Sequence, residues 1–137
     1  MTVTPLRWIR AIALFDLAVT LPLAIPGLSD AWVALLLSGF TLTGDLSWWQ
    51  PLPLSTSIFA VLAGLLAVLW NGCRAWRPEQ RMLVGADACG RVAVAAALLY
   101  FLLVRDAPVA LWLFVVSELV GALIELRALS ALRRAVA

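Results

Sequence analysis

The side chains with the most chemical potential in this chain sit inside apolar runs. Asp16 interrupts the run at 6–25, and Glu118 lies midway through the run at 108–129. Asp87 and Arg91 stand four apart, hence on one helical face, in the run at 82–104. Glu125 follows Glu118 by seven residues, on the same face. An ionisable group deep in a bilayer costs about 2.5–3.5 kcal/mol on insertion scales, so each calls for a partner or a purpose. Two carboxyl groups held in apolar surroundings can divide acid and base roles, one protonated and one ionised. Asp16 and Glu118 are therefore the candidate acid and base, and Asp87–Arg91 the orienting pair. Counting Arg91 alone against Asp16, Asp87 and Glu118 leaves unbalanced carboxyls, so at least one of Asp16 and Glu118 is expected to hold a proton near neutral pH. A simple internal salt bridge for Asp87–Arg91 is the competing expectation.

Other chemistries lack their residues. There is no His, and every one of the 10 basic residues is Arg. Imidazole-ligated haem or metal and a lysine Schiff base are excluded on that ground. Cys73 and Cys89 form no CxxC pair and read as small buried apolar residues. No phosphate-binding loop, dinucleotide fingerprint or aspartate-rich diphosphate motif occurs. The expectation is chemistry without a metal or organic cofactor. No stretch carries a family motif from which residue roles could be assigned.

These side chains need elements to position them. With 64% hydrophobic and 13% charged residues, the chain has about half the charge of a soluble domain. A net charge of +2 gives no basic stripe for nucleic acid. The fold expected is all-α and integral to a membrane: a single domain, 1–137, forming an up-down antiparallel bundle of four transmembrane helices at about 6–25, 55–76, 82–104 and 108–129. Pro26-Gly27, Pro51 and Pro53, Arg77-Pro78-Glu79, and Arg105-Asp106 with Pro108 supply the breaks. Residues 31–43 are apolar but too short to span, and read as an interfacial or re-entrant segment between the first and second helices. The opening resembles a secretion signal in its Arg7, Arg10 and Ser29-Asp30-Ala31, but Asp16 breaks the apolar run, so a mature helix is expected.

Charge orients the bundle. Arg7, Arg10, Arg74, Arg77, Arg81, Arg127, Arg133 and Arg134 fall on one side, and Arg105 on the other. The positive-inside rule puts both termini in the cytoplasm, in a bacterial inner membrane by the Arg- and Ala-rich composition. Trp8, Trp70 and Trp76 suit the inner boundary; Trp32, Trp48, Trp49 and Trp112 suit the outer one. Asp30 and Asp45 read as solvated loop residues or helix caps. In the second long helix, Ser57, Ala60, Gly64, Ala67, Asn71 and Arg74 make one stripe of small and polar residues, which turns Asn71 and Arg74 inward. The simplest assembly turns these faces inward into one polar cluster of Asp16, Asn71, Arg74, Asp87, Arg91, Glu118 and Glu125; the competing readings make Arg74 a topology determinant and Glu125 the partner of a terminal Arg. Ser117 and Gly121 make a small-residue step beside Glu118.

The function favoured on these residues is a cofactor-free membrane enzyme using Asp16, Glu118, Asp87 and Arg91 for isomerisation, cyclisation or epoxide opening. Its substrate would be lipophilic, isoprenoid-like in character, and contacted by Asn71, Trp70, Tyr100 and Phe114. Two alternatives stand beside it: a proton-coupled transporter working as a homodimer, and a non-catalytic subunit or lipid-binding module of a membrane complex. The partners expected are membrane lipids and a lipophilic small molecule, with no nucleic acid.

Overall fold

The computed structural model describes residues 3–38 and 52–134. It is all-helical over them. Helix α1 (Val3–Thr20) runs into a 3-10 turn, Leu21–Ala24, followed by the short α2 (Leu28–Leu37) and three long helices, α3 (Leu54–Trp76), α4 (Arg81–Val104) and α5 (Leu111–Arg134). The first apolar run stops being α-helical earlier than expected. Pro22 has no N–H to continue the helix, so the chain tightens into 3-10 geometry after Thr20. Gly27 then turns the chain with φ 84°, a conformation open to glycine, and α2 begins immediately after it. The anticipated segment at 31–43 is thus a helix that starts three residues sooner; residues 39–43, with Asp45, Trp48 and Trp49, lie outside the described residues. Helix α5 starts after Pro108 and extends past 129 to Arg134.

Two bonds fix the relative directions of the long helices. Arg10 Nε donates to the carbonyl of Ala75 at 3.0 Å, joining the start of α1 to the end of α3. Arg81 Nη2 donates to the carbonyl of Leu132 at 2.8 Å, joining the start of α4 to the end of α5. Each cation satisfies a carbonyl that a helix C-terminus leaves open. The same end of the molecule holds the packed core of Ile9, Val84, Ala128, Leu129 and Leu132. Around the bundle α4 packs on α5, α5 on α1 and α1 on α3; α3 and α4 scarcely meet beyond the turn that joins them. At the other end, α2 and the 3-10 turn lie against α3. The turn backbone comes so close that a Cβ on Gly64 would stand 2.5 Å from Ala24 N.

The outer faces of the long helices are largely apolar and a cluster of ions lies inside, while other charges, among them Arg7, Arg105, Asp106 and Arg133, are exposed. Leu62, Leu66, Leu69, Leu103, Val116 and Leu119 are all exposed, whereas Arg74, Asp87, Arg91 and Glu125 are buried. Helices α3 and α4 are long and apolar enough to cross a membrane. Helices α1 and α5 owe their lower apolarity partly to Asp16, Glu118 and Glu125, which do not face outward. Cys73 and Cys89 are free and exposed, contrary to the expectation of burial, since they lie on the outer faces of α3 and α4.

Candidate functional site

Two guanidinium groups organise the centre of the bundle. Arg74, on the small-residue stripe of α3, is 1% exposed and reaches across to three helices. Its Nη1 lies 3.1 Å from Asp16 Oδ2 and 2.9 Å from Asn71 Oδ1. Its Nη2 lies 2.9 Å from Asp87 Oδ2 and also donates to Glu125 Oε1. Arg91 of α4 takes the next layer. Its Nε is 2.8 Å from Asp87 Oδ2 and 3.7 Å from Glu125 Oε2; its Nη1 is 3.0 Å from Glu118 Oε2, and its Nη2 donates to Asp16 Oδ2. A Cβ at Gly121 would stand 2.7 Å from Arg91 Nη1, so the small-residue step on α5 is the seat of this guanidinium. Asp16 Oδ2 is shared by both arginines.

Glu125 is completely buried, and Glu125 Oε2 and Arg74 Nε, both buried, accept or donate no hydrogen bond in the structure. The cost of desolvating six ionisable groups is offset by mutual pairing, and removing one member leaves its partners buried and uncompensated. Four carboxyl groups meet two guanidiniums, so the acid excess expected from the sequence persists with a different count. Arg74 and Glu125 belong to the cluster as the inward-facing arrangement has it, and Glu125 pairs with Arg74 and Arg91, not with a terminal Arg. The terminal Arg127, Arg133 and Arg134 are exposed. Among the described residues no trio of acidic or thiol side chains is arranged to hold a metal ion.

Next to this cluster, in the gap between α3 and α4, lies a cavity of about 810 Å³. Asp16, Asp87, Arg91 and Glu118 form its polar part, and Phe15, Trp32, Leu36, Leu66, Val94 and Phe114 contribute to its apolar walls. Trp70 crosses the gap, donating from Nε1 to Asp87 Oδ1 at 2.6 Å. Trp32 anchors α2 over the cavity by donating to the carbonyl of Val19 at 2.9 Å. Each of these two indoles is held by a hydrogen bond at the cavity wall. Asp30, expected to be solvated or capping, is half-buried in the first turn of α2 and accepts from Ser57 Oγ at 2.7 Å.

The structure therefore brings together Asp16, Asp87, Arg91 and Glu118, with Asn71, Trp70 and Phe114 beside them on the cavity. Tyr100 is elsewhere. It is 50% exposed on the outside of α4, its ring edge-on to Phe101. Phe15, Trp32 and Leu36 are wall residues that sequence reasoning missed. Their signal was absent because apolar residues on α1 and α2 look the same whether they face lipid or a cavity. Arg74 did carry a signal, its place on the stripe from Ser57 to Asn71. Comparison with protein-family models, curated proteins and solved structures finds no match to this chain.

Proposed function

We propose that this protein is an integral-membrane enzyme that performs acid–base chemistry, without a cofactor, on a lipophilic molecule held between α3 and α4. The observation that carries this reading is the Asp16–Arg91–Glu118 arrangement on the polar side of a largely apolar cavity of about 810 Å³. Four helices, α1, α3, α4 and α5, would cross the bilayer with both termini in the cytoplasm. An apolar exterior around buried ions supports that placement, as does the gathering of Arg7, Arg10, Arg81, Arg133 and Arg134 at the ends joined by the Arg10 and Arg81 bonds.

The proposed chemistry follows from the pairing. One carboxyl of Asp16 and Glu118 donates its proton to a double bond or epoxide oxygen of the substrate. The other, ionised, removes a proton from the cation so formed, or from a water that attacks it. Arg91, bonded to both, holds them on one wall at a fixed separation. Substrate would enter from the lipid through the gap beside Trp70, since the walls there are apolar.

Native mass spectrometry of gently extracted protein tests this reading. Wild-type protein should carry a defined lipophile other than a phospholipid. Asp16→Asn and Glu118→Gln should retain substrate unconverted or lose it, while Tyr100→Leu should behave as wild type. Co-purification with unrelated polypeptides in an empty cavity, unchanged in both carboxyl variants, would sink the enzyme in favour of a subunit. Proton movement in liposomes that disappears in Asp16→Asn would instead establish the transporter.

A further inference from the structure

We infer that the cavity is complementary to positive charge on an apolar body. Its ligand is a lipophilic organic cation, or a neutral lipophile that becomes cationic on protonation. The inference rests on the reading of the cavity as a ligand site and names the charge of the species it favours.

The charged side chains that meet the cavity are mostly carboxyl groups. Among the described residues its only guanidinium is Arg91, facing the carboxyl groups of Asp16, Asp87 and Glu118. Each nitrogen of Arg91 already donates to a protein carboxyl group, Nε to Asp87, Nη1 to Glu118 and Nη2 to Asp16, so three of its five N–H donors are taken. An anionic ligand reaching a remaining N–H would meet the charge of the carboxyl groups around it. The carboxyls themselves keep open acceptors. Asp16 and Glu118 each bond through Oδ2 or Oε2, and their side chains remain 18% and 24% exposed. Oδ1 of Asp16 and Oε1 of Glu118 accept no hydrogen bond from the described residues. The cavity thus offers spare negative charge and spare acceptors. Behind it, Arg74 is paired with Asp16, Asp87, Glu125 and Asn71, and with its charge counted four carboxyl groups still face two guanidiniums.

The rest of the wall agrees in sign. Phe15, Trp32, Trp70 and Phe114 line the same space. Aromatic faces attract cations through their quadrupole and repel anions. Low polarity strengthens both effects relative to water. Under the enzyme reading the same wall stabilises the carbocation that follows protonation of a double bond. The charge arises only after the proton transfer, so the stabilisation falls on the transition state more than on the substrate.

Tetraphenylphosphonium and tetraphenylborate have matched shape and opposite charge, and their binding to purified protein in a nonionic detergent can be followed by tryptophan fluorescence and equilibrium dialysis. Wild-type protein should bind the cation saturably and at least about tenfold more tightly than the anion. Glu118→Gln should weaken the cation by a similar factor without weakening the anion, and Tyr100→Leu should change neither. Equal binding of both ions, competed by one another, would overturn the charge preference and leave a simple apolar ligand site standing. No saturable binding of either ion, with Glu118→Gln and wild type alike, would overturn the charge preference together with the cavity's role as a ligand site. Circular dichroism of Glu118→Gln separates loss of charge from loss of fold.

Discussion

At the scale of single residues, the centre of this molecule depends on Arg74 and Arg91 more than on any one carboxylate. Arg74 serves Asp16, Asp87 and Glu125 at once, while its Nε finds no partner. Arg74→Met should therefore destabilise the protein by about 3–5 kcal/mol, because three carboxyl groups, Glu125 among them fully buried, lose a neutralising charge. Adding Glu125→Leu removes the most deeply buried of those acids, together with its unsatisfied Oε2. The double variant should recover most of the loss, since a buried ion pair exchanged for apolar side chains is often neutral or better. Thermal unfolding of the three proteins in one detergent checks this, and a single-variant loss below about 1 kcal/mol would place Arg74 in water. Much of this cluster is readable from sequence. Asp16, Asp87, Arg91 and Glu118 announce themselves by interrupting apolar runs, and i,i+4 spacing pairs two of them. Arg74 is harder, because a positive charge near the end of a span serves topology equally well. Only its register with Gly64, Ala67 and Asn71 distinguishes a guanidinium turned inward from one reaching the headgroups.

At the scale of elements, the helices follow directly from apolar length and proline placement, and the close approach of the 3-10 turn to α3 follows from a glycine. Ends shift where two tendencies compete: α1 gives way to a 3-10 turn at Pro22, whereas α5 runs on to Arg134 with the Leu132 carbonyl held by Arg81. The gap between α3 and α4 has no sequence signature, since a lipid-facing stripe and a cavity-facing stripe are both apolar. Gly64 is where the 3-10 turn meets α3. Its added methyl would stand 2.5 Å from both Ala24 N and Leu23 C, backbone atoms that cannot rotate away. Gly64→Ala should lower stability by about 1–3 kcal/mol, as overpacking does, and loosen α2 with the Trp32 wall it carries. Gly72→Ala, on the same helix with nothing within 4 Å, should be neutral or stabilising by up to about 1 kcal/mol through helix propensity. Equal melting temperatures for the two variants would show that the turn does not pack on α3. Hydrogen exchange of Leu21–Ala24 and α2 gives the local readout.

At the scale of the whole molecule, the proposed membrane placement rests on an apolar exterior around a buried ionic cluster. A soluble bundle exposing Leu54, Phe59, Leu66, Leu69, Leu103 and Val109 while burying two arginines with their acids would place its groups against both solvation preferences. In hydrocarbon the same arrangement is favourable on the outside and paired on the inside. Whether all four long helices cross is decided by where their connections emerge. In a background with Cys73 and Cys89 replaced by Ala, single cysteines at four exposed positions report this: Pro26 after α1, Glu79 between α3 and α4, Val109 before α5, and Arg133 at the end of α5. A membrane-impermeant maleimide applied to spheroplasts should label Pro26→Cys and Val109→Cys. Applied to inside-out vesicles, it should label Glu79→Cys and Arg133→Cys. If α3 and α4 alone crossed, Arg133→Cys would react on the same side as Val109→Cys and Pro26→Cys, opposite to Glu79→Cys. That pattern would leave Glu118 and Glu125 on a helix outside the hydrocarbon. The cavity would then be a surface cleft open to water, and the physical basis for a protonated carboxyl in it would be lost.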